Sequence, residues 1–200
     1  MSEVAVAVLA AGRGRRLAGR HAKPLLTLQG RSLVSWALAA ATAADLRPVV
    51  LVVGYRGRTV AREALEGVLL ARARRWRRGA AHSLRAALVA LEPWAQVQAV
   101  CIGLADQPLV GPDAYRRLAG AHREGAELAV ATYDGVRVNP VLLGRPLWHE
   151  ARQLRGDVGA RALMEHHDVA EVDCTGTGDP ADVDSLDDLA ALERRLEAEQ

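Results

Sequence analysis

The sequence predicts an α/β protein, a three-layer α/β/α arrangement in which helices cover both faces of an open, mostly parallel, twisted sheet. Short runs made entirely of apolar residues recur along the chain, as at Val4–Ala10 and Ala99–Leu104. Such runs are typical of strands that are buried on both faces of a parallel sheet. Segments of helical composition separate these runs, and this alternation predicts right-handed βαβ units.

The predicted elements alternate regularly through residue 132. The apolar runs predict strands at residues 4–10, 48–53, 68–71, 99–104 and 128–132. The composition between them predicts helices at residues 32–44, 57–66, 83–91 and 112–124, and Pro112 suits the first turn of the last one. Sheets of this class bind ligands at the carboxyl ends of their strands. We therefore expect the loops after Ala10, Leu104 and Thr132 to carry the chemistry.

The pattern is less regular beyond Asp134. Residues 137–143 form a predicted strand, in which Pro140 indicates an edge position or a bulge because it lacks a backbone donor. Helices are predicted at residues 146–154 and 158–166, and a short strand at residues 169–173. The charged segment 186–199 predicts a helix that packs on the outside of the sheet.

Composition and charge exclude several classes of protein. The net charge of the 200-residue chain is only +2, which argues against a general nucleic-acid binder. Its cysteines, Cys101 and Cys174, form no CxxC pair, so neither a disulfide framework nor a zinc site is predicted. The sequence begins without a signal-peptide pattern, and its first apolar run is too short to span a bilayer. We therefore expect a cytoplasmic protein that binds neither nucleic acid nor a membrane.

The loop after the first strand has the composition of an anion-binding turn. Gly12 and Gly14 allow the backbone to bend tightly, so that successive N–H groups converge on an anion. Arg16 and Lys23 can add fixed positive charge, and Lys23 is the only lysine of the chain. The loop therefore predicts a phosphate site, although an ordinary glycine-rich turn would have the same composition.

Two well-known glycine-rich loops are excluded at this position. A P-loop would need Lys and then Ser or Thr after its last glycine, but Gly19 is followed by Arg20 and His21. The dinucleotide fingerprint GxGxxG would need a third glycine where the chain has Leu17, and no acidic residue follows at the distance that a ribose contact requires.

A carboxylate follows the strand predicted at residues 99–104. Asp106 lies at the carboxyl end of that strand, before Pro108. A carboxylate in this place can hold Mg²⁺, which usually takes one or two carboxylates and completes its shell with water and substrate phosphates. A turn or N-cap aspartate is the alternative for Asp106. The aspartates from Asp182 to Asp188 also suit the start of an acidic helix.

Four segments together resemble a known family. Residues 9–17 read LAAGRGRRL and are followed by Lys23, which resembles the signature LAAGxSxRMGxxK of nucleotidyltransferases. Residues 105–108, 156–161 and 182–189 are similar to the family segments ADQP, GDxGAR and DIDTPEDL, in the same order. Gly14, Leu17 and Val138 depart from the serine, the methionine and a later glycine of the family. The chain thus resembles the MobA- and MocA-like nucleotidyltransferases around the molybdenum cofactor cytidylyltransferases, which implies a Rossmann-like nucleotide-diphospho-sugar transferase fold.

The resemblance implies a Mg²⁺-dependent reaction. A nucleoside monophosphate, with CMP favoured, would pass from a nucleoside triphosphate to a phosphorylated acceptor such as molybdopterin, with release of pyrophosphate. Ala11 stands where guanylyltransferase relatives have glycine, which favours CTP. The resemblance also implies one nucleotidyltransferase domain over residues 1–200, with a nucleotide-binding half at 1–110 and an acceptor-binding half at 111–200. A transient contact with a cofactor-accepting enzyme would fit this activity.

The resemblance also implies the roles of individual residues. Arg16, Lys23 and Asp106 would be catalytic, and Asp106 and Asp184 would bind Mg²⁺. Asp182 precedes Asp184 by two residues and so lies on the same side of an extended segment, from which it could contribute through water. The implied nucleotide-binding residues are Leu9, Ala10, Ala11, Gly12, Arg13, Gly14, Arg15, Arg16, Lys23, Ser83 and Arg85. The implied acceptor-binding residues are Asn139, Pro140, Gly156, Asp157 and Arg161.

Several alternatives stay open. A guanylyltransferase, a sugar-1-phosphate nucleotidyltransferase, a nucleotide-cofactor oxidoreductase and a non-catalytic protein that binds a nucleotide or a partner are the competing functions. Ser83 would equally suit a helix N-cap, and Asp157 an N-cap of the helix after it. The arginine-rich stretch at residues 72–78 could steer anions, but we interpret it as a solvated face.

Overall fold

The computed structural model of the protein describes residues 3–14 and 22–198. Its strands are β1 (Val4–Ala10), β2 (Thr27–Leu28), β3 (Arg31–Ser32), β4 (Val49–Val53), β5 (Leu69–Arg72), β6 (Ala99–Leu104), β7 (Leu128–Tyr133), β8 (Val136–Gly144) and β9 (Ala170–Asp173). Its α-helices are α1 (Leu33–Ala43), α2 (Gly57–Val60), α3 (Ala81–Leu91), α4 (Pro112–Arg123), α5 (Trp148–Ala151) and α6 (Leu186–Ala198). Short 3₁₀ helices occur at Lys23–Leu25, Ala61–Glu63, Trp76–Arg78, Arg145–Leu147 and Ala160–Glu165.

The main sheet of the described residues has the strand order β5-β4-β1-β6-β8-β7-β9. β1 pairs in parallel with β4 and β6, β5 is parallel to β4, and β9 is parallel to β7. β8 is antiparallel to both of its neighbours, β6 and β7. The predicted mostly parallel α/β sheet is therefore confirmed. Its topology brings the carboxyl ends of β1, β4 and β6 to one edge, where a ligand site is expected.

Hydrophobic cores lie on both faces of the sheet because side chains alternate along each strand. Val6 of β1 belongs to a buried cluster that includes Leu38 of α1. The next residue, Ala7, belongs to a cluster on the opposite face that includes Leu84 of α3. Helices therefore cover the sheet on both sides, as the fully apolar strands predict. None of the helices in the described ranges combines the length and apolar composition needed to cross a membrane.

The strand with Pro140 is a bulged interior strand. β8 lies between β6 and β7, so the edge position offered as one interpretation is wrong. The bulge is confirmed, because Val130 pairs with Val141 but Ala131 pairs with Val138. The skipped residues are Asn139 and Pro140, and the bulge removes the proline from the hydrogen-bonded ladder.

Several predicted helices are shorter or tighter in the structure. Residues 57–66 divide into α2 and the 3₁₀ helix Ala61–Glu63, and residues 158–166 form only the 3₁₀ helix Ala160–Glu165. Helix α6 buries Leu192 in a small cluster with Leu28 of the β2–β3 hairpin and with Val183. This helix therefore packs on the hairpin, whereas the sequence suggested the outside of the sheet.

Candidate active site

A cavity of about 620 Å³ opens at the carboxyl ends of β1 and β6. Its walls come from the loop after β1, the turn before α3, the residues after β6 and the segment before α6. The lining residues are Leu9, Ala11, Gly12, Arg13, Gly14, Trp76, Arg77, Arg78, Gly79, Ala80, Ser83, Leu104, Asp106, Asp157 and Asp184. The cavity therefore brings together residues from distant parts of the chain for which the sequence predicted nucleotide binding or metal binding.

Close packing against the end of β4 holds the start of the first loop in place. The backbone N–H of Tyr55 donates to the carbonyl oxygen of Ala11 at 3.0 Å. A Cβ on Gly54 would lie 2.6 Å from that same oxygen, so the close approach requires glycine. Gly14 has a φ of 69°, a conformation that glycine adopts at little cost. The predicted residues Arg15 and Arg16 lie outside the described residues.

Lys23 lies between two carboxylates that line the cavity. Its Nζ donates to Oδ2 of Asp106 at 2.6 Å and to Oδ1 of Asp184 at 2.7 Å. Lys23 is only 8% exposed, whereas the side chains of Asp106 and Asp184 are 29% and 48% exposed. The three predicted residues thus meet at one point, although 161 positions separate the first from the last.

The charge of Lys23 is stabilised by its two partners. Burial lowers the pKa of the Lys23 ammonium, but the charge and hydrogen bond of Asp106, together with those of Asp184, outweigh that effect. The pKa of Lys23 therefore lies above its ordinary value of 10.5, and the side chain is a cation at neutral pH. Burial, followed by the charge of Asp106, raises the pKa of nearby Asp182.

The turn before α6 fixes the backbone of Asp184. Oδ2 of Asp188 accepts from the N–H groups of Asp184 and Ser185 at 2.9 and 2.8 Å. Oγ of Ser185 accepts in return from the N–H of Asp188 at 3.1 Å. This is a capping box, which satisfies donors at the start of a helix. The acidic helix start considered for this segment is therefore present alongside Asp184.

The two predicted metal ligands come together around the ammonium of Lys23. Oxygen atoms of Asp106 and Asp184 both lie within hydrogen-bond distance of a single atom, Nζ of Lys23, so the two carboxylates converge. No group of three or more Asp, Glu, His or Cys side chains in the described ranges is arranged to hold a metal. Mg²⁺ does not need such a group, because water and substrate phosphates usually supply its remaining ligands. The pair therefore fits the expected ion.

Asp157 caps α3 from a distant part of the chain. Its Oδ1 accepts from the N–H of Ala80 at 3.1 Å, and the carbonyl of Gly156 accepts from Ala81 at 3.3 Å. Gly79 has a φ of 110°, and a Cβ there would lie 2.1 Å from the Gly156 oxygen. The structure thus corrects the alternative in which Asp157 caps the helix that follows it. Asp157 instead closes the wall of the cavity.

Ser83 and Arg85 have different positions although both are in α3. Ser83 is buried, lines the cavity and lies inside the helix, so it is not the N-cap that we considered. Arg85 is not among the lining residues. Its guanidinium donates to the carbonyl oxygens of Arg152 and Leu154, with Nε 2.9 Å from the former and Nη2 3.1 Å from the latter. The structure therefore gives Arg85 a role in tying α3 to the loop after α5, and its assignment to the nucleotide stays a prediction.

Most of the predicted acceptor residues lie outside the cavity wall. Asn139 and Pro140 form the bulge of β8, and Nη2 of Arg161 donates to the carbonyl of Arg137 at 3.2 Å. Gly156 supports the start of α3, and Asp157 is the member of this set that lines the cavity. Ala10, predicted to bind nucleotide, is buried in the core below the loop.

The turn Trp76–Arg78 forms a wall of the cavity that the sequence interpretation missed. Arg77 and Arg78 are exposed, as the solvated-face interpretation predicts, but they also line the cavity, which that interpretation did not include. The guanidinium of Arg77 lies 5.3 Å from the ring centre of Trp76, which also packs at 5.4 Å against the ring of Tyr55. The sequence did contain one indication of this role: the turn follows the carboxyl end of a predicted parallel strand, where ligands of such sheets bind.

Comparisons with known proteins agree with this geometry. Residues 6–172 match the family model described as the MobA-like NTP transferase domain. The chain is 32% identical over 179 residues to the bifunctional protein GlmU of Pelobacter propionicus, an alignment that covers 88% of the chain but only 36% of GlmU. It is 30% identical over 195 residues to nicotine blue oxidoreductase of Paenarthrobacter nicotinovorans, covering 92% of the chain and 94% of that relative.

A solved structure gives a likeness over nearly the whole chain. The crystal structure of Rv0371c from Mycobacterium tuberculosis H37Rv superposes with a TM-score of 0.83 at 29% identity and covers 96% of this chain and 98% of its own. The same protein in complex with manganese superposes with a TM-score of 0.79. The family match, the mostly parallel sheet and the position of the cavity agree with one another. The chain therefore belongs to the MobA-like NTP transferase domain family and has the α/β fold of nucleotidyltransferases.

Proposed function

We propose that this protein is a Mg²⁺-dependent nucleotidyltransferase that transfers CMP from CTP to a phosphorylated small molecule, such as molybdopterin, and releases pyrophosphate. The observation that carries the proposal is the meeting of Lys23, Asp106 and Asp184 beside a cavity that the glycine-rich loop after β1 also lines. This arrangement provides an anion-binding loop and a cation-binding pair of carboxylates in one place.

The reaction needs charge neutralisation and alignment more than a strong base. A phosphate monoester of the acceptor is doubly or nearly doubly charged at neutral pH and is itself the nucleophile. Its oxygen forms a bond to the α-phosphorus of the triphosphate, while the bond from that phosphorus to the bridging oxygen breaks and pyrophosphate leaves with the electron pair. Arg13, Arg77 and Arg78 line the cavity and would offset the charge of the two anions.

Asp106 and Asp184 would hold the divalent cation. A bound Mg²⁺ would neutralise charge on the α-phosphate and on the leaving pyrophosphate. The manganese complex of Rv0371c supports a divalent ion in a related fold. Lys23 contacts both carboxylates and would keep them oriented toward the substrate. Arg16 remains a proposed phosphate-binding and catalytic residue on the strength of the sequence pattern.

The preference for CTP rests on Ala11. This residue lines the cavity and is packed so tightly that a Cβ on Gly54 would lie 2.7 Å from its own Cβ. By resemblance to the family, an alanine where the guanylyltransferases have glycine would leave less room for the base and would favour the smaller pyrimidine. We also propose that residues 1–110 supply the nucleotide site and that residues 111–200 supply the acceptor site, including Asn139 and Arg161.

Pyrophosphate release tests this function directly. CTP and GTP would each be assayed with several phosphorylated acceptors, and UTP would be assayed with a sugar 1-phosphate. Activity with GTP would favour a guanylyltransferase, and activity with the sugar 1-phosphate would favour a sugar-1-phosphate nucleotidyltransferase. We expect Asp106→Asn to lower kcat by about 100-fold or more, because it removes charge that positions the cation. Asp45→Asn is the matched control, since Asp45 is exposed, has a φ of 58° that Asn also tolerates, and lies outside the cavity.

If Asp106→Asn kept the full Mg²⁺-dependent rate, the assignment of this carboxylate would be wrong. If the wild-type protein released no pyrophosphate with any pair of substrates while still binding a nucleotide, a non-catalytic nucleotide-binding or partner-binding role would replace the transferase. A transient contact with a cofactor-accepting enzyme remains a proposal that depends on the identity of the acceptor.

An oxidoreductase is the second candidate function. The similarity to nicotine blue oxidoreductase favours this function, because the alignment covers 94% of that relative. The alignment with GlmU covers only 36% of the GlmU length. The missing third glycine, where the chain has Leu17, argues against the usual dinucleotide site. Titration with NADH and NADPH, followed by fluorescence, separates the two candidates. Saturable binding of either dinucleotide, with no pyrophosphate release from any triphosphate, would favour the oxidoreductase.

A further inference from the structure

The loop that leads to Asp184 is joined along its length to the loop that follows Asp106. Val110 and Gly178 form a β-bridge, and the N–H of Asp179 donates to the carbonyl of Leu109 at 3.0 Å. Closer to the cavity, the N–H of Val183 donates to the carbonyl of Asp106 at 2.9 Å. The two segments therefore run side by side, with one member of the carboxylate pair at the end of each.

Glycines allow the far end of this junction to close. A Cβ on Gly178 would lie 2.3 Å from the carbonyl oxygen of Leu109, and a Cβ on Gly111 would lie 1.9 Å from that of Thr177. Backbone contacts thus fix the end that is distant from the cavity. Between Asp179 and Val183 the junction needs a further connection, because residues between two anchored points can still shift.

A buried side chain supplies this connection. Nε2 of Gln107 donates to the carbonyl oxygen of Pro180 at 2.9 Å, and Gln107 is only 3% exposed. Gln107 directly follows Asp106 along the chain, and Pro180 lies four residues before Asp184. Within the described ranges, Oε1 of Gln107 is buried without a hydrogen-bond partner, so a buried amide is retained here at some cost in stability.

We propose that Gln107 is a positioning residue for nucleotidyl transfer, which holds the Asp184 loop against the Asp106 loop so that both carboxylates converge on one divalent cation. The effect on catalysis rests on the proposed function, whereas the effect on metal binding concerns only the two carboxylates. Gln107 is too deeply buried to touch a substrate, and its effect passes through the carbonyl of Pro180. Residues that orient metal ligands in this way commonly change metal affinity when they are replaced.

The test compares Gln107→Met with Gln98→Met. Methionine is close to glutamine in length and volume but cannot donate to a carbonyl. Gln98 is the matched control, because its Nε2 also donates to a backbone carbonyl, that of Ala95 at 2.9 Å, but it precedes β6 at the opposite edge of the sheet. Gln107→Leu is the second variant, since leucine is smaller than methionine, cannot donate and adds no charge beside the carboxylates. The probe is Mn²⁺, whose binding to each folded protein is followed by electron paramagnetic resonance.

We expect both Gln107→Met and Gln107→Leu to raise the Kd for Mn²⁺ by about 10- to 100-fold. The metal concentration that gives half-maximal pyrophosphate release should rise in parallel for Gln107→Met, while Gln98→Met stays within about twofold of wild type in both measurements. A Mn²⁺ Kd within about twofold of wild type for both folded Gln107 variants would overturn the proposal. So would an equal rise in Kd for Gln98→Met.

The experiment also separates this proposal from the proposed function. Tighter Mn²⁺ binding by wild type than by Gln107→Met, without pyrophosphate release from either protein, would support the positioning role and contradict the transferase. Normal pyrophosphate release with an unchanged metal dependence in Gln107→Met would support the transferase and contradict the positioning role. If Gln107→Met fails to fold, the Mn²⁺ Kd of Gln107→Leu decides, and an unchanged value overturns the proposal.

Discussion

At the scale of single residues, Lys23 shows how one side chain connects distant parts of the chain. It begins a 3₁₀ helix shortly after the first loop, and its ammonium contacts one carboxylate after β6 and another before α6. The sequence predicted all three residues, because each occurs in a segment that resembles the nucleotidyltransferases. It could not predict that Lys23 contacts the carboxylates directly, since that contact depends on the packing of three separate loops.

The charge of Lys23 gives a prediction about pH and stability. Lys23→Met should lower the free energy of unfolding by about 1 to 3 kcal/mol near pH 7, because two partly exposed carboxylates lose their shared donor. The pKa of Lys23 is raised in the folded protein, so its stabilising contribution is complete below the ordinary value of 10.5 and is lost as the pH rises through the higher folded pKa.

Urea denaturation of wild type and Lys23→Met from neutral to alkaline pH measures this effect. The difference between the two proteins should be constant at neutral pH and should shrink above about pH 10.5. Arg47→Met is a suitable control, because Arg47 is exposed and lies 3.9 Å from the exposed Asp45. A difference that is already absent at pH 7 would contradict the role of Lys23 in holding the pair.

At the scale of elements, α3 is the part of the site that the sequence predicted least well. Its helical body was predicted, but the turn Trp76–Arg78 before it was interpreted as a solvated face. Composition alone favours that interpretation, because arginine runs are usually exposed. Arg77 and Arg78 line the cavity, and the next residue, Gly79, lets the start of α3 approach the backbone of Gly156. Such an approach between distant segments leaves little trace in local sequence.

The close approach at Gly79 predicts a large effect of a single methyl group. Gly79→Ala would place a Cβ 2.1 Å from the Gly156 oxygen at a φ of 110°. Gly67→Ala is the matched control, since Gly67 has a φ of 78° but no atom within 4 Å of an added Cβ. We expect Gly79→Ala to cost at least about 1 kcal/mol more than Gly67→Ala in the free energy of unfolding. Equal costs in thermal or urea denaturation would show that the two segments do not pack as described.

At the scale of the whole molecule, the apolar strands determined the fold class. β1, β4 and β6 are buried on both faces, and their runs of valine, alanine and leucine were recognisable without further information. The place of β8 between β6 and β7 was not predicted, because Pro140 suggested an edge and only the bulge explains how the strand accommodates it. The position of α6 on the β2–β3 hairpin also depends on tertiary contacts, since its apolar face would suit several surfaces.

The folded chain places the glycine-rich loop after β1 and the pair Asp106 and Asp184 on one cavity, and the central claim is that this cavity binds a nucleotide together with a divalent cation. The most direct test is the affinity for CTP in the presence of Mg²⁺, measured by isothermal titration calorimetry for Asp184→Asn and for Asp187→Asn. Asp187 is an exposed residue at the start of the same helix and does not line the cavity. We predict a loss of about 10-fold or more for Asp184→Asn and wild-type affinity for Asp187→Asn. Equal affinities for wild type and both variants would contradict the claim.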